Sequence, residues 1–120
     1  QIFHLSHGPC QQQNPTVWQR DDWHTRFDMP ERESGFGYSA EQVRDLPIFD
    51  MDQMLEYFDA VRVNTNAFLD AMSESDLSTE PHPRRPGVTL MDMWGHVMIE
   101  EAEHLGQVAY IRGIQRGLDK

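Results

Sequence analysis

The chain has 120 residues, which suits a single domain built around one hydrophobic core. It carries 10 Lys and Arg against 20 Asp and Glu, and its formal net charge of -10 disfavours nucleic acid and anionic membranes as partners. With 38% hydrophobic and 10% aromatic residues it is too aromatic for a disordered chain, and it lacks the roughly 20-residue apolar run of a membrane span.

The beginning of the chain predicts a helix around His4 that is already under way. Since the first residue is Gln1 rather than Met, we expect further sequence upstream. Cys10 is the only cysteine and cannot form an internal disulfide, and no secretory segment is visible, so we expect a cytoplasmic protein. Residues 8–37 show no helical or strand period, and we expect an ordered connection pinned by Trp18, Trp23, Phe27 and Phe36.

Two helices are predicted in the middle of the chain. Ser39 and Gln42 form a capping-box pattern and begin a short helix that must end before Pro47. Apolar residues then recur at three- and four-residue steps, which predicts a helix of about six turns with one inward stripe. The stripe consists of Met51, Met54, Leu55, Phe58, Val61, Thr65, Phe68, Leu69 and Met72.

A second long helix is predicted near the end of the chain. It follows residues 73–87, which contain three prolines and form a connection in which we expect His82 to be exposed. Thr89 caps the helix, which extends to about Gly113. Because no segment alternates as a strand does, the sequence predicts an all-α fold.

The inward stripe of the last helix contains ionisable residues. A rotation of about 100° per residue places Glu100, Glu101 and His104 on the stripe formed by Leu90, Met93, Trp94, Val97, Val108 and Ile111. Burying a carboxylate is costly unless a partner neutralises it. His96, Glu100 and His104 also follow one another at i, i+4 and i+8, so they are able to converge on one point.

Two explanations of this pattern remain open at this stage. Imidazole nitrogen and carboxylate oxygen are ligands of zinc, iron and nickel, so the residues could hold a cation. Alternatively, Glu100 pairs with an arginine and His104 is a hydrogen-bonded core histidine. Nearby, Gly106 inside the helix costs about 1 kcal/mol relative to alanine, which indicates close approach of another backbone.

The last helix resembles the signature helix of the DinB-like superfamily, a group of thiol-dependent metalloenzymes that includes proteins of the DUF664 type. The resemblance rests on HVMIEEAEHLGQVAYIRG at residues 96–113. WQRDDWHTRFDMP at residues 18–30 and GFGYS at residues 35–39 are similar to the connection between the second and third family helices. The resemblance covers most of the chain and implies one antiparallel four-helix bundle, whose first helix has no counterpart here.

The resemblance also implies a metal site between the second and last family helices. Carried over by position, its ligands are His4, Glu100 and His104, with His7 as the alternative to His4. Many relatives have histidine at the position of Glu100, although the carboxylate version occurs in the DUF664-type branch. The implied cofactors are a divalent transition metal, namely Zn, Ni or Fe, and a low-molecular-weight thiol.

The implied activity is a transfer or isomerisation of a small-molecule substrate, with the metal holding the thiolate as nucleophile. Glu101 or His96 would serve as the base. A non-catalytic bundle that binds a ligand or a second copy of itself, with a structural or degenerate site, is the alternative. An iron(II) oxygenase is a third possibility. Because a bundle that lacks its first helix would expose an apolar patch, we also expect a homodimer.

Overall fold

The structure is a computed structural model that describes residues 15–32, 37–82 and 85–117. Within these residues it contains a short 3-10 helix, Glu74–Ser78, and five α-helices: α1 (Val17–Arg20), α2 (Trp23–Arg26), α3 (Ala40–Arg44), α4 (Met51–Ala71) and α5 (Leu90–Arg116). No strand occurs among the described residues, and the predicted all-α class is confirmed. The helix predicted around His4 lies outside them, as does Cys10.

Capping side chains fix where the helices begin. The Ser39 hydroxyl accepts from the Gln42 backbone N–H at 3.2 Å, and the Gln42 side chain accepts from the Ser39 N–H at 2.9 Å. Thr89 and Asp92 make the same reciprocal pair at the start of α5, at 3.2 and 2.9 Å. Each pair satisfies two N–H groups that have no partner within a helix, so both predicted helix starts are confirmed.

The cap of α5 predicts an acid-dependent loss of stability. The Thr89 hydroxyl, and after it the Thr89 N–H, hold the pKa of the Asp92 carboxyl below its ordinary value. A lowered folded-state pKa adds stability that is complete above the unfolded-state pKa and is lost as the pH falls through the folded value. We therefore expect Asp92→Asn to lower the free energy of unfolding at pH 7, with the difference from wild type shrinking below about pH 4.

Urea unfolding at a series of pH values measures this difference. Glu103→Gln, on an exposed position of the same helix, is the control and should show no such pH dependence. A deficit in Asp92→Asn that stayed constant down to pH 2 would mean that the carboxylate charge does not stabilise the cap.

The contacts within the chain define two compact units, one that ends at Met72 and one that begins at Ser73. The first is organised around a cluster of buried side chains, namely Val17, Trp18, Trp23, Phe27, Tyr57 and Val61. The Trp18 ring stacks on Phe27 at 5.6 Å between centroids and meets Tyr57 edge-on at 5.5 Å. Its indole N–H donates to the Pro30 carbonyl at 3.1 Å. The predicted aromatic-pinned connection therefore contains α1 and α2.

The buried face of α4 is rotated relative to the predicted stripe. Its most buried residues are Tyr57, Val61 and Thr65, and Tyr57 was not on the predicted stripe. Several stripe residues are instead exposed, namely Met51, Leu55, Phe58 and Leu69, at 37–66% of their surface. The rotation has a physical reason, because the rings of Trp18, Trp23 and Phe27 pack on the Tyr57 side of the helix.

The second unit contains the 3-10 helix, a proline-containing connection and α5. The Leu90 N–H donates to the Thr79 carbonyl at 2.8 Å, and the Gly87 N–H donates to the Glu80 carboxylate at 2.7 Å. The first bond attaches the connection to the start of α5, where Leu90 is buried, and the second lies within the connection. His82 is half-buried, so the prediction that it is exposed was wrong.

Candidate functional site

One face of α5 combines partial burial with ionisable side chains. Following buried Leu90, the half-buried positions include Met93, Trp94, Val97, Glu100, Glu101 and His104, as the stripe predicted. Beyond His104 the prediction fails, since Val108 and Ile111 are 59% and 53% exposed. Leu105, Tyr110 and Ile114 are exposed in the same turns and lie on other sides of the helix. The inward face of α5 therefore ends at the ionisable residues.

Glu100 lies between two histidines, each one helical turn away. Its Oε1 is 3.6 Å from His96 Nε2, and its Oε2 is 3.7 Å from His104 Nε2. Side-chain exposure falls from 64% at His96 to 32% at His104 and 24% at Glu100. The sequence spacing predicted this ladder, because residues four apart are neighbours on one helical face.

The two imidazoles contact different oxygens of the carboxylate. His96, Glu100 and His104 were expected to be able to converge on one point; in the structure both imidazoles face the Glu100 carboxylate, each at its own oxygen. Among the described residues, no three His, Cys, Asp or Glu side chains are grouped so that they could hold a metal ion. A metal site here would require the Glu100–His104 pair together with a ligand from elsewhere. The predicted ligand His4 and its alternative His7 lie outside the described residues.

The Glu100–His104 pair meets the distance requirement for a shared cation. Two ligand atoms that each lie about 2.0 to 2.2 Å from one ion are separated by at most roughly 4 Å. Glu100 Oε2 and His104 Nε2 are 3.7 Å apart, and this nitrogen is buried. The pair mixes carboxylate oxygen with imidazole nitrogen, a donor set used by zinc, nickel and iron. Its residues therefore fit the metal that the sequence resemblance implied.

The outer nitrogen of His104 is engaged by a residue that the sequence analysis did not assign to the site. His104 Nδ1 lies 3.1 Å from Gln107 Oε1, one turn further along α5. The i, i+3 spacing of a histidine and an amide on one helix was the signal that could have identified this contact. Gln107 thus contacts the histidine on the side opposite to Glu100.

Glu101 and Gly106 complete the neighbourhood of the site. The Glu101 side chain projects from α5 in a direction rotated by about 100° around the helix axis from that of Glu100. It is half-buried, with Oε1 inaccessible to solvent. A Cβ placed on Gly106 would meet nothing within 4 Å among the described residues. The expected close approach of another backbone at Gly106 is therefore not found in that part of the chain.

Comparison with protein-family models gives a match over residues 12–117, which is more than half of the chain and includes the whole of α5. The model describes the mycothiol-S-transferases. The chain belongs to this family. Since the family is part of the DinB-like superfamily, the resemblance read from residues 96–113 is confirmed. Membership places the chain among thiol-related transferases. Searches of curated proteins and of solved structures gave no significant match.

No helix in the described part of the chain combines the length and the apolar character that crossing a bilayer requires.

Proposed function

We propose that the protein transfers a low-molecular-weight thiol to a small electrophilic molecule, and that Glu100, His104 and His4 hold a divalent transition metal, Zn, Ni or Fe, for this reaction. The thiol that we assign is mycothiol, which the family description names. The observation that supports the proposal is the pairing of Glu100 Oε2 with a buried imidazole nitrogen at 3.7 Å on the half-buried face of α5.

The chemistry of the transfer defines what the site must supply. The thiol gives its proton to a base, its sulfur bonds an electrophilic carbon, and the bond from that carbon to the leaving group breaks. When bound, a divalent cation would lower the pKa of a coordinated thiol and so favour the nucleophilic thiolate. Glu100 would contribute one negative charge that compensates the cation, and His104 would contribute a neutral nitrogen ligand.

We assign the base to His96. Its Nε2 is 3.6 Å from Glu100 Oε1, and its side chain is 64% exposed, so it borders the candidate metal site and also reaches solvent. Imidazole exchanges protons readily near neutral pH, which suits a group that accepts the thiol proton and passes it to water. Glu101 is the second candidate, because its half-buried carboxylate lies on the adjacent side of the helix.

Elemental analysis of protein produced in rich medium tests the metal site. We expect about one transition-metal ion per wild-type chain and almost none in Glu100→Ala. Glu103→Ala is the matched control, because it removes the same charge from an exposed position of α5. Metal-free wild-type protein that also takes up no added zinc, nickel or iron would refute the proposal. A non-catalytic bundle whose His and Glu residues form hydrogen bonds would then be favoured.

Self-association and a cytoplasmic location both remain predictions. The apolar residues exposed on several sides of α5, including Leu105, Val108 and Ile114 at 59–68%, support self-association, because such surface is usually covered in a stable assembly. We expect light scattering to give at least twice the chain mass of 14.0 kDa. Leu105→Glu should shift the mass towards the monomer, whereas a monomeric wild type at high concentration would contradict the homodimer.

A further inference from the structure

We propose that Gln107 is a positioning residue, which fixes the proton of neutral His104 on Nδ1 and so leaves Nε2 as the nitrogen that can bind a metal. This inference rests on the proposed function for its biological meaning. It concerns a residue that the sequence analysis assigned to no site. The observation behind it is the 3.1 Å contact between His104 Nδ1 and Gln107 Oε1.

The geometry of α5 places His104 between two acceptors. Glu100 lies one turn before the histidine and faces Nε2, and Gln107 lies one turn after it and faces Nδ1. An amide oxygen accepts hydrogen bonds and cannot donate them, so a ring nitrogen at 3.1 Å from that oxygen must carry the proton. In the neutral ring the other nitrogen then carries the lone pair.

The two nitrogens also differ in their surroundings. Nε2 is buried beside the carboxylate, whereas Gln107 is an exposed residue at the outer edge of the ring. Metal-binding histidines commonly donate their second N–H to an oxygen acceptor, which orients the ring and makes the ligand more basic. Gln107 gives His104 such an acceptor from the same helix. The orientation of the ring is thereby set within two turns of α5.

Nitrogen NMR of His104 in metal-free protein tests this inference without any assay of activity. At about pH 8.5, where ordinary imidazoles are neutral, long-range proton–nitrogen spectra identify the protonated nitrogen. We expect Nδ1–H in wild type and mainly Nε2–H in Gln107→Leu, because the Glu100 carboxylate, 3.7 Å from Nε2, is able to accept a hydrogen bond from that nitrogen. Gln107→Glu keeps an oxygen at this position and should restore Nδ1–H.

Gln115→Leu is the matched control, since Gln115 is also exposed on α5 and lies two turns beyond Gln107. It should leave the His104 spectrum unchanged. Nε2–H in wild type would overturn the inference, because Gln107 would then present its NH2 group to the ring. An unchanged proton position in Gln107→Leu would overturn it as well.

Metal affinity provides the second readout. Loss of an outer hydrogen-bond partner typically weakens metal binding by about 10–100-fold, so we expect a decrease of that size in Gln107→Leu and recovery in Gln107→Glu. Wild-type protein that bound no metal would refute the proposed function, and the NMR experiment would still decide the role of Gln107. The two failures are therefore distinguishable.

Discussion

Replacing His104 by alanine should abolish metal binding and thiol transfer. The substitution removes the nitrogen that lies 3.7 Å from Glu100 Oε2 and leaves the carboxylate as the single proposed metal ligand within this part of α5. Loss of a residue that merely orients a ligand costs about 10–100-fold in metal affinity, so loss of the ligand itself should cost more than about 100-fold. Competition with a chelator measures the affinity, and product formation from thiol and electrophile measures the transfer.

A conservative change at Glu100 should have a smaller effect. Glu100→Gln keeps the shape of the side chain and one oxygen donor but loses the negative charge, so metal binding should weaken without disappearing.

His24→Ala is the control for the removal of His104. His24 also has a carboxylate partner, Asp22, at 3.6 Å, but it lies in the unit that ends at Met72. Equal loss of metal in His24→Ala and His104→Ala would show that unfolding, rather than ligand removal, causes the effect.

The pH dependence of metal binding follows from the same assignment. Metal and proton compete for the imidazole nitrogen and the carboxylate oxygen, because both must be deprotonated to act as ligands. Affinity should therefore fall as the pH is lowered, with release of protons when metal binds. Glu100→Gln should show a shallower dependence, since the amide that replaces the carboxylate does not titrate over this range.

Local patterns in the sequence were sufficient to predict α3, α4 and α5 and the Glu100–His104 pair of the candidate site, but not α1, α2 or the 3-10 helix. Capping residues act within three or four positions, so Ser39 and Thr89 identified helix starts without any knowledge of tertiary structure. The ladder around Glu100 is equally local, because i and i+4 residues are neighbours on any α-helix. Partial burial of Glu100 and His104 followed from the apolar periodicity that precedes them in α5.

Contacts between distant segments could not be predicted in the same way. The side on which α4 is buried depends on Trp18, Trp23 and Phe27, which come from a segment without periodicity. Apolar residues lie on two sides of α4, so periodicity alone could not show that Tyr57 would be buried while Leu55 stayed exposed. The proposed role of His4 as a metal ligand likewise rests on the family resemblance, because the distance of His4 from α5 depends on tertiary structure and not on a local pattern.

The aromatic cluster gives the largest stability effect that we expect. Trp18→Ala should lower the free energy of unfolding by about 3–5 kcal/mol, the usual cost of truncating a buried tryptophan. Trp18 is only 2% exposed and packs on Phe27 and Tyr57, so its loss would leave a cavity lined by rings that cannot easily collapse. Small domains have only about 5–15 kcal/mol of total stability, and chemical denaturation should show a large shift of the midpoint.

Two further substitutions serve as comparisons for Trp18→Ala. Trp18→Phe keeps an aromatic ring but removes the indole donor to Pro30, and its smaller ring fills only part of the cavity. It should therefore lower the free energy of unfolding by less than Trp18→Ala does. Ile48→Ala removes an apolar side chain that is fully exposed and should change stability by no more than about 0.5 kcal/mol. If Trp18→Ala cost as little as Ile48→Ala, the cluster would not be the core of this unit. The burial of α4 on its Tyr57 side would then need another cause, because the rings of α1 and α2 are what distinguish that side from the exposed one.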